Sequence, residues 1–166
     1  MSAPRAQNGP SRTAPPLEQE AFLHLMRTAD ALMRDLEEVF KPAGLSPTQY
    51  NVLRILRGAG PGAGMACNQI GQRMITRDPD MTRLLDRLEK RGLITRSRDT
   101  KDRRVVHARI TDQGLKLIKG LDRPVQDAHR RQLGNLGNKR LKMLSQLLEE
   151  ARNALPVPAP SGRGLG

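Results

Sequence analysis

Residues 81–114 read MTRLLDRLEKRGLITRSRDTKDRRVVHARITDQG, and within them a helical repeat of apolar residues gives way to the alternation that is typical of strands. The apolar residues of the first part recur at steps of three and four, which indicates one buried helix face made by Met81, Leu84, Leu85 and Leu88. We expect this helix to span 78–91. Asp78 would be its N-cap, Pro79 its first residue and Gly92 its left-handed C-terminal cap.

Two short strands are predicted after this helix, over 94–98 and 105–110. In the second strand Val106, Ala108 and Ile110 share one face, because successive side chains of a strand point to opposite sides. The link between the strands is short and entirely polar, which favours a β-hairpin. The stretch therefore predicts a helix that is followed at once by a hairpin.

A second strong helix start lies upstream, at Ser46. Ser46 is expected to be the N-cap, Pro47 the first helical residue and Gln49 the partner that completes a capping box. This helix ends in the glycine-rich loop 58–64, and a short helix is predicted over 68–75. Two short helices that precede a hairpin indicate a winged helix-turn-helix.

Long amphipathic helices are predicted on both sides of this reading module, which takes about residues 46–110. One spans 17–40, and two more fill 111–155, the first of them capped by Thr111. The predicted fold is mainly α with a small β-hairpin wing: a winged helix-turn-helix domain flanked by long N- and C-terminal dimerisation helices.

The chain length of 166 residues favours one domain, over about 17–155. The ends, 1–16 and 156–166, are rich in proline and poor in large apolar side chains, so we expect disordered tails. No apolar run is long enough to cross a bilayer, and the single cysteine, Cys67, cannot form an internal disulfide. These features predict a cytoplasmic protein.

Charge points to a polyanionic partner. Lys and Arg number 29 against 17 Asp and Glu, a net charge of +12, and a pI of about 11.1 is typical of nucleic-acid binders. Two Phe, one Tyr and no Trp argue against a single-strand binder built from stacked rings. Residues 76–110 carry eleven basic and six acidic side chains, a net of +5, whereas 17–45 carry three and six, a net of −3. The positive charge thus lies on the predicted reading elements.

Double-stranded DNA suits both of these elements. An α-helix fits the major groove, and Arg83 and Arg87, one turn apart, can present guanidinium forks to guanine edges or phosphates. The hairpin is narrow enough for the minor groove, and we expect Asp102 at its tip to pair with Arg104 and hold that side chain in one rotamer. The candidate DNA contacts are Arg77, Thr82, Arg83, Arg87, Arg98, Lys101, Asp102, Arg103 and Arg104. The alternative is that these charges form only a solvated surface.

The flanking helices predict a homodimer. A small winged domain has no need of them, and their apolar stripes would be exposed in a monomer. The candidate interface residues are Phe22, Leu25, Leu141, Leu144, Leu148 and Leu155. A two-fold dimer would bury these stripes and set two recognition helices about 34 Å apart, one turn of DNA. The alternative is that these helices only complete the core of a monomer.

Three segments together carry a family resemblance: LSPTQYNVLRIL at 45–56, MTRLLDRLEKRGLITR at 81–96 and DRRVVHARITDQG at 102–114. In them the sequence resembles the MarR family of winged helix-turn-helix transcription factors, over about 17–155. The resemblance implies an obligate homodimer, a recognition helix at 78–91, and a wing whose Arg104 approaches the minor groove with support from Asp102. It also implies a bacterial origin, and often relief of repression by a small ligand or by oxidation.

Other candidate sites are weaker. His24 and Arg27, one helical turn apart, could bind a small aromatic or acidic effector, the ligand class implied by the resemblance, or they could be solvated polar residues. Cys67 lies near a helix start that could lower the pKa of its thiol, but an ordinary, partly buried thiol is the preferred interpretation. The three histidines lack the spacing of a metal site, so neither a metal nor a cofactor is expected.

The sequence therefore predicts a sequence-specific double-stranded DNA-binding regulator, a homodimeric repressor that binds a pseudo-palindromic promoter site. The resemblance implies that a small-molecule ligand can relieve the repression. One alternative is a small-molecule or redox sensor with weak or nonspecific nucleic-acid binding. Another is a basic protein that binds RNA or DNA without specificity. An enzyme is disfavoured because no catalytic set of residues is found.

Overall fold

A computed structural model describes residues 15–60, 62, 64–75, 80–100 and 102–155. Its α-helices are α1 (Leu17–Phe40), α2 (Pro47–Gly58), α3 (Cys67–Arg73), α4 (Met81–Lys90), α5 (Asp112–Leu133) and α6 (Gly137–Asn153). Its strands are β1 (Met65–Ala66), β2 (Ile94–Arg98) and β3 (Val106–Ile110). Short 3-10 turns, Lys41–Ala43 and Gly134–Leu136, follow α1 and α5. The predicted fold class is confirmed, and within the described ranges no helix is both long and apolar enough to cross a membrane.

The start of α2 is as predicted. The hydroxyl of Ser46 accepts a hydrogen bond from the main-chain N–H of Gln49 at 3.2 Å, and the Gln49 side-chain oxygen accepts one from the N–H of Ser46 at 2.9 Å. Pro47 is the first residue of the helix. The reciprocal bonds satisfy two main-chain donors at the helix end, which fixes the start of α2 after the turn that ends α1.

The start of α4 differs from the prediction. The prediction that Asp78 caps this helix is wrong: its N-cap is Asp80, whose carboxylate accepts a hydrogen bond from the N–H of Arg83 at 3.2 Å. Asp78 and Pro79 lie outside the described residues. The C-terminal end agrees with the prediction, since Gly92 adopts the left-handed conformation with φ of +67°.

The wing is a three-stranded antiparallel sheet in the order β1-β3-β2. In the predicted hairpin Ile94 pairs with Ile110 and Arg98 with Val106. The sequence did not predict β1, which has only two residues and pairs Met65 with Ala108. The segment 65–66 leads directly into α3, so α3 begins at Cys67 and ends at Arg73, two residues before the predicted end.

One apolar core holds the reading module together. The leucines Leu84, Leu85 and Leu88 of α4 are buried with Leu53 and Leu56 of α2. The same cluster includes residues of the strands and of α5, namely Ile94, Ala108, Ile118, Leu121 and Val125. Helix α5 therefore joins the reading module, and α1 is attached at its C-terminal end, where Phe40 stacks on Tyr50 with ring centroids 4.4 Å apart.

Gly114 stands at a close approach between α5 and the turn before β2. Thr111 caps α5: its hydroxyl accepts from the N–H of Gly114 at 3.1 Å and donates to the carbonyl of Gly92 at 2.6 Å. A Cβ on Gly114 would lie 2.3 Å from the carbonyl oxygen of Leu93 and 2.8 Å from Cγ1 of Ile110. This main-chain contact leaves room only for glycine.

We predict that Gly114→Ala lowers the free energy of unfolding by about 3 kcal/mol, because the added methyl group meets main-chain atoms that cannot move aside. Gly120→Ala is the matched control, since no atom from beyond its chain neighbours and the nearby backbone of its own helix lies within 4 Å of the position of its Cβ. The control should gain about 0.5–1 kcal/mol from helix propensity. Denaturant unfolding of both variants measures this, and equal stability of the two would contradict the packing assigned to Gly114.

Candidate nucleic-acid interface

The outward face of α4 presents the predicted helix contacts. Thr82, Arg83 and Arg87 are all exposed, while the leucine face of the same helix is buried. The side chain of Arg83 is 78% exposed, and its Nε lies 3.0 Å from Oδ2 of Asp80. Asp80 therefore both caps the helix and orients an arginine of its reading face. The fourth predicted contact, Arg77, lies outside the described residues.

The wing presents exposed Arg98, Arg103 and Arg104, and Lys101 lies outside the described residues. The prediction that Asp102 pairs with the guanidinium of Arg104 is wrong. Its carboxylate instead accepts a hydrogen bond from the main-chain N–H of Arg104 at 3.0 Å, and these two residues form no ion pair in the described part of the chain. Asp102 thus shapes the turn that carries the arginines.

A second aspartate closes the base of the wing. Oδ1 of Asp99 accepts from the N–H of Asp102 at 2.9 Å, and the N–H of Asp99 donates to the carbonyl of Val105 at 2.9 Å. The other carboxylate oxygen lies 3.2 Å from Nε2 of His107 on β3. These contacts connect the end of β2 and the start of β3 to the turn between them, and so stabilise the turn that carries the basic residues.

Arg96 of β2 is a residue that the sequence analysis missed. Its Nη2 lies 2.5 Å from Oδ1 of Asp86 and 2.7 Å from Oε2 of Glu89, and its Nε donates to the same Glu89 oxygen at 2.9 Å. These hydrogen bonds raise the pKa of Arg96, and the bond to Glu89 has the largest effect. Burial acts in the opposite direction. A signal was available: Arg96 shares a strand face with buried Ile94, and Asp86 and Glu89 are three residues apart on a helix.

Arg91 ties the end of α4 to the connection between α1 and α2. Its guanidinium donates to the carbonyls of Gly44 at 2.5 Å and Ala43 at 2.9 Å. These carbonyls belong to the turn that ends α1. The C-terminal end of α4 is therefore bonded to the turn between α1 and α2.

The candidate effector residues do not line the groove that lies beside α5. His24 and Arg27 are exposed on α1, and Nε2 of His24 lies 3.7 Å from a carboxylate oxygen of Glu20 on the same helix. An open groove of about 410 Å³ has other residues in its lining: Arg91, Leu93, Gln113, Lys116, Leu117 and Gly120.

Cys67 has the environment of an ordinary thiol. It is half-buried at the start of α3, and this burial raises the pKa of its thiol, while the charge of Arg96 lowers it to a smaller extent. In the described ranges no cluster of three His, Cys, Asp or Glu side chains is placed to hold a metal ion. The structure therefore favours the interpretation of Cys67 as a partly buried thiol.

The candidate dimer residues lie on exposed apolar helix faces. Phe22 and Leu25 of α1 are 59% and 47% exposed. On α6, Leu144, Leu148 and Leu155 are 36%, 37% and 67% exposed, and Leu141 is half-buried. No residue from 137 to 155 is buried. The apolar stripes of both ends of the domain thus face outward in the single chain.

The comparisons with known proteins agree with this architecture. The model of the MarR family matches residues 45–106. The crystal structure of a MarR transcription factor from Planctomyces limnophilus is 47% identical, with a TM-score of 0.64, over 82% of this chain and 98% of that chain. A mutant MarR from E. coli complexed with operator DNA is 25% identical, with a TM-score of 0.70, over 82% of this chain and 93% of that chain.

A third similar protein is the transcriptional repressor MdtR of Bacillus subtilis. It is 33% identical over an alignment of 104 residues, and the match covers 54% of this chain. The match spans 65% of the repressor, less than two thirds of its length.

Proposed function

Because the chain belongs to the MarR family of transcriptional regulators, which are not enzymes, we propose that it is a homodimeric repressor that binds a pseudo-palindromic promoter site in the cytoplasm. The observation that carries the proposal is the pairing of two exposed basic elements. Helix α4 and the wing follow each other in the chain, and Arg96 bonds one to the other. Both can thus approach one duplex together.

Each element has its own groove in this proposal. Helix α4 enters the major groove, where Arg83 and Arg87 contact guanine edges or phosphates, and Thr82 lies near the helix start, where base contacts concentrate in this motif. The wing follows the neighbouring minor groove. The positive charge of the wing comes from Arg98, Lys101, Arg103 and Arg104, and Asp102 shapes its turn. In addition, Arg77 contributes a DNA contact from the segment before α4.

A homodimer follows from the exposed apolar faces. Phe22 and Leu25 on α1, together with the α6 stripe, would remain in water in a monomer, which is unfavourable for a contiguous apolar surface. Packing these faces against a second copy gives a two-fold assembly with two recognition helices about 34 Å apart. Repression then follows from occupation of a promoter by the dimer.

The proposal includes a small aromatic or acidic effector that relieves repression. His24 and Arg27 are the residues proposed to bind the effector, because both are exposed and both can donate hydrogen bonds to its carboxylate. Their position on α1, whose apolar residues are candidates for the dimer contact, would let a ligand act on the geometry of the dimer.

Selection of bound duplexes from a random pool tests the proposed function. A repressor of this kind should enrich one inverted repeat and bind it about 10³-fold or more tighter than random duplex. Enrichment of no sequence, with binding that depends on salt alone, would instead support the nonspecific alternative.

We predict that Arg104→Ala weakens binding to the selected duplex about tenfold or more, because the wing loses its contact with the minor groove. Arg130→Ala is the matched control, since it removes the same charge from an exposed arginine of α5 that pairs with Asp127 of its own helix. Titrations at physiological salt measure both. An equal loss in the two variants would mean that Arg104 contributes only general charge.

We predict that Leu148→Asp, or Leu144→Asp, dissociates the dimer and with it abolishes tight binding, because a carboxylate is placed in the apolar interface. Gln146→Asp adds the same charge to an exposed position on the polar face of α6 and should leave the dimer intact. Sedimentation velocity and DNA titration measure the two effects. A monomeric variant that still binds the selected duplex tightly would refute the proposed dimer.

A further inference from the structure

Helix α4 carries two carboxylates that a DNA-reading helix does not need for affinity. Asp86 and Glu89 lie on the flank of the helix, between its buried leucines and its exposed arginines, and both are half-buried. A carboxylate near the phosphate backbone repels it, so these two residues weaken general attraction to DNA. Their presence calls for a structural reason.

Both carboxylates are bound to one residue of the wing. The guanidinium of Arg96 contacts Asp86 and Glu89, and its side chain is only 24% exposed. In addition, the main-chain N–H of Arg96 donates to Oε1 of Glu89 at 2.9 Å. Glu89 therefore holds both the side chain and the backbone of β2. We call these three residues, Arg96, Asp86 and Glu89, the clasp.

The clasp is placed to restrain the rotation of α4 about its own axis. The packing of the leucine face defines this rotation less sharply, because apolar contacts are not directional. A planar guanidinium that bridges two carboxylates one turn apart is directional. Since side chains extend about 5–6 Å from a helix axis, a roll of about 20° would move the reading side chains by about 2 Å relative to the wing.

We propose that Arg96 is a positioning residue whose clasp with Asp86 and Glu89 holds the recognition helix in register with the wing, and thereby sets discrimination between the target sequence and other duplexes. The clasp fixes the positions of Arg83 and Arg87 relative to the arginines of the wing. Only a duplex whose grooves match these positions can be contacted by all of these arginines at the same time. This inference rests on the proposed function, because it requires a preferred duplex.

The decisive variant is the double substitution Asp86→Asn with Glu89→Gln. It removes two negative charges, so an account based on charge alone predicts tighter binding to every duplex. The clasp predicts the opposite for the selected duplex, with binding about tenfold weaker or more, and unchanged or tighter binding to a scrambled duplex of the same composition. The two accounts therefore differ in the sign of the effect.

The matched control is Glu37→Gln with Glu38→Gln. It raises the net charge by the same amount at two exposed positions of α1, of which Glu38 forms an ion pair with Lys41 of the following turn. It should change binding to both duplexes alike. Arg96→Lys is the second variant: it keeps the charge but cannot bridge both carboxylates as a planar fork, so it should lose selectivity at unchanged net charge.

Cys67 senses the charges of two clasp residues, Arg96 and Glu89. Burial is the main cause of its raised thiol pKa, the charge of Arg96 lowers that pKa, and the charge of Glu89 raises it. Alkylation of this single cysteine near neutral pH should therefore slow in Arg96→Met and quicken in Glu89→Gln. The slowing in Arg96→Met is the diagnostic change, because a loss of stability alone would speed alkylation in both variants.

The experiment compares affinities for the selected and the scrambled duplex, below the unfolding transition of every variant. A fall in the ratio for Asp86→Asn with Glu89→Gln and for Arg96→Lys, with no change in the control, supports the clasp. An unchanged ratio in both variants overturns it while the proposed function stands. If the unaltered protein itself binds both duplexes equally, the proposed function fails, and this proposal fails with it.

Discussion

Burial of one face of α4 is the constraint on which the rest of the structure depends. Leu84, Leu85 and Leu88 are at most 5% exposed, and they pack in the core that α2, α5 and the strands share. Because a helix is rigid, this burial forces the opposite face outward. Arg83 and Arg87 are thus presented to solvent by the packing of their neighbours, and the chain turns back at Gly92 to place the wing beside them.

The acidic residues of this basic module organise its cations. Asp80 caps α4 and contacts Arg83, Asp99 and Asp102 shape the wing, and Asp86 and Glu89 bind Arg96. Each of these five, all in the described part of 76–110, therefore has a local structural partner. The net positive charge of the module provides a general attraction to DNA, whereas these contacts determine the positions of the individual arginine side chains.

The sequence predicts features that depend on neighbours in the chain. The capping box of Ser46 and Gln49, the cap at Thr111, the left-handed Gly92 and strand 94–98 all follow from local patterns and are confirmed. Features that depend on residues distant in the chain, or on a choice between two neighbouring residues, are not predicted correctly. Strand β1 has two residues and exists only through its pairing with β3. The cap at Asp80 was not predicted because Pro79 suits the first helical position and so favours Asp78.

The candidate site follows the same division. Exposure of the α4 arginines is predictable from helical periodicity, because the leucine stripe defines the buried side. The contact of Asp102 is not, because a carboxylate two residues from an arginine can bind either its side chain or its main chain. Arg96 reaches Asp86 and Glu89 only after strand and helix have packed, so composition alone counts it as one more surface charge.

Hydroxyl-radical footprinting on the selected duplex tests the central claim most directly, that a two-fold dimer docks α4 and the wing on one double helix. The account predicts a symmetric pattern, with two protected segments centred about one helical turn apart and additional minor-groove protection on their flanks. A single unsymmetric footprint, or uniform protection along the duplex, would contradict it.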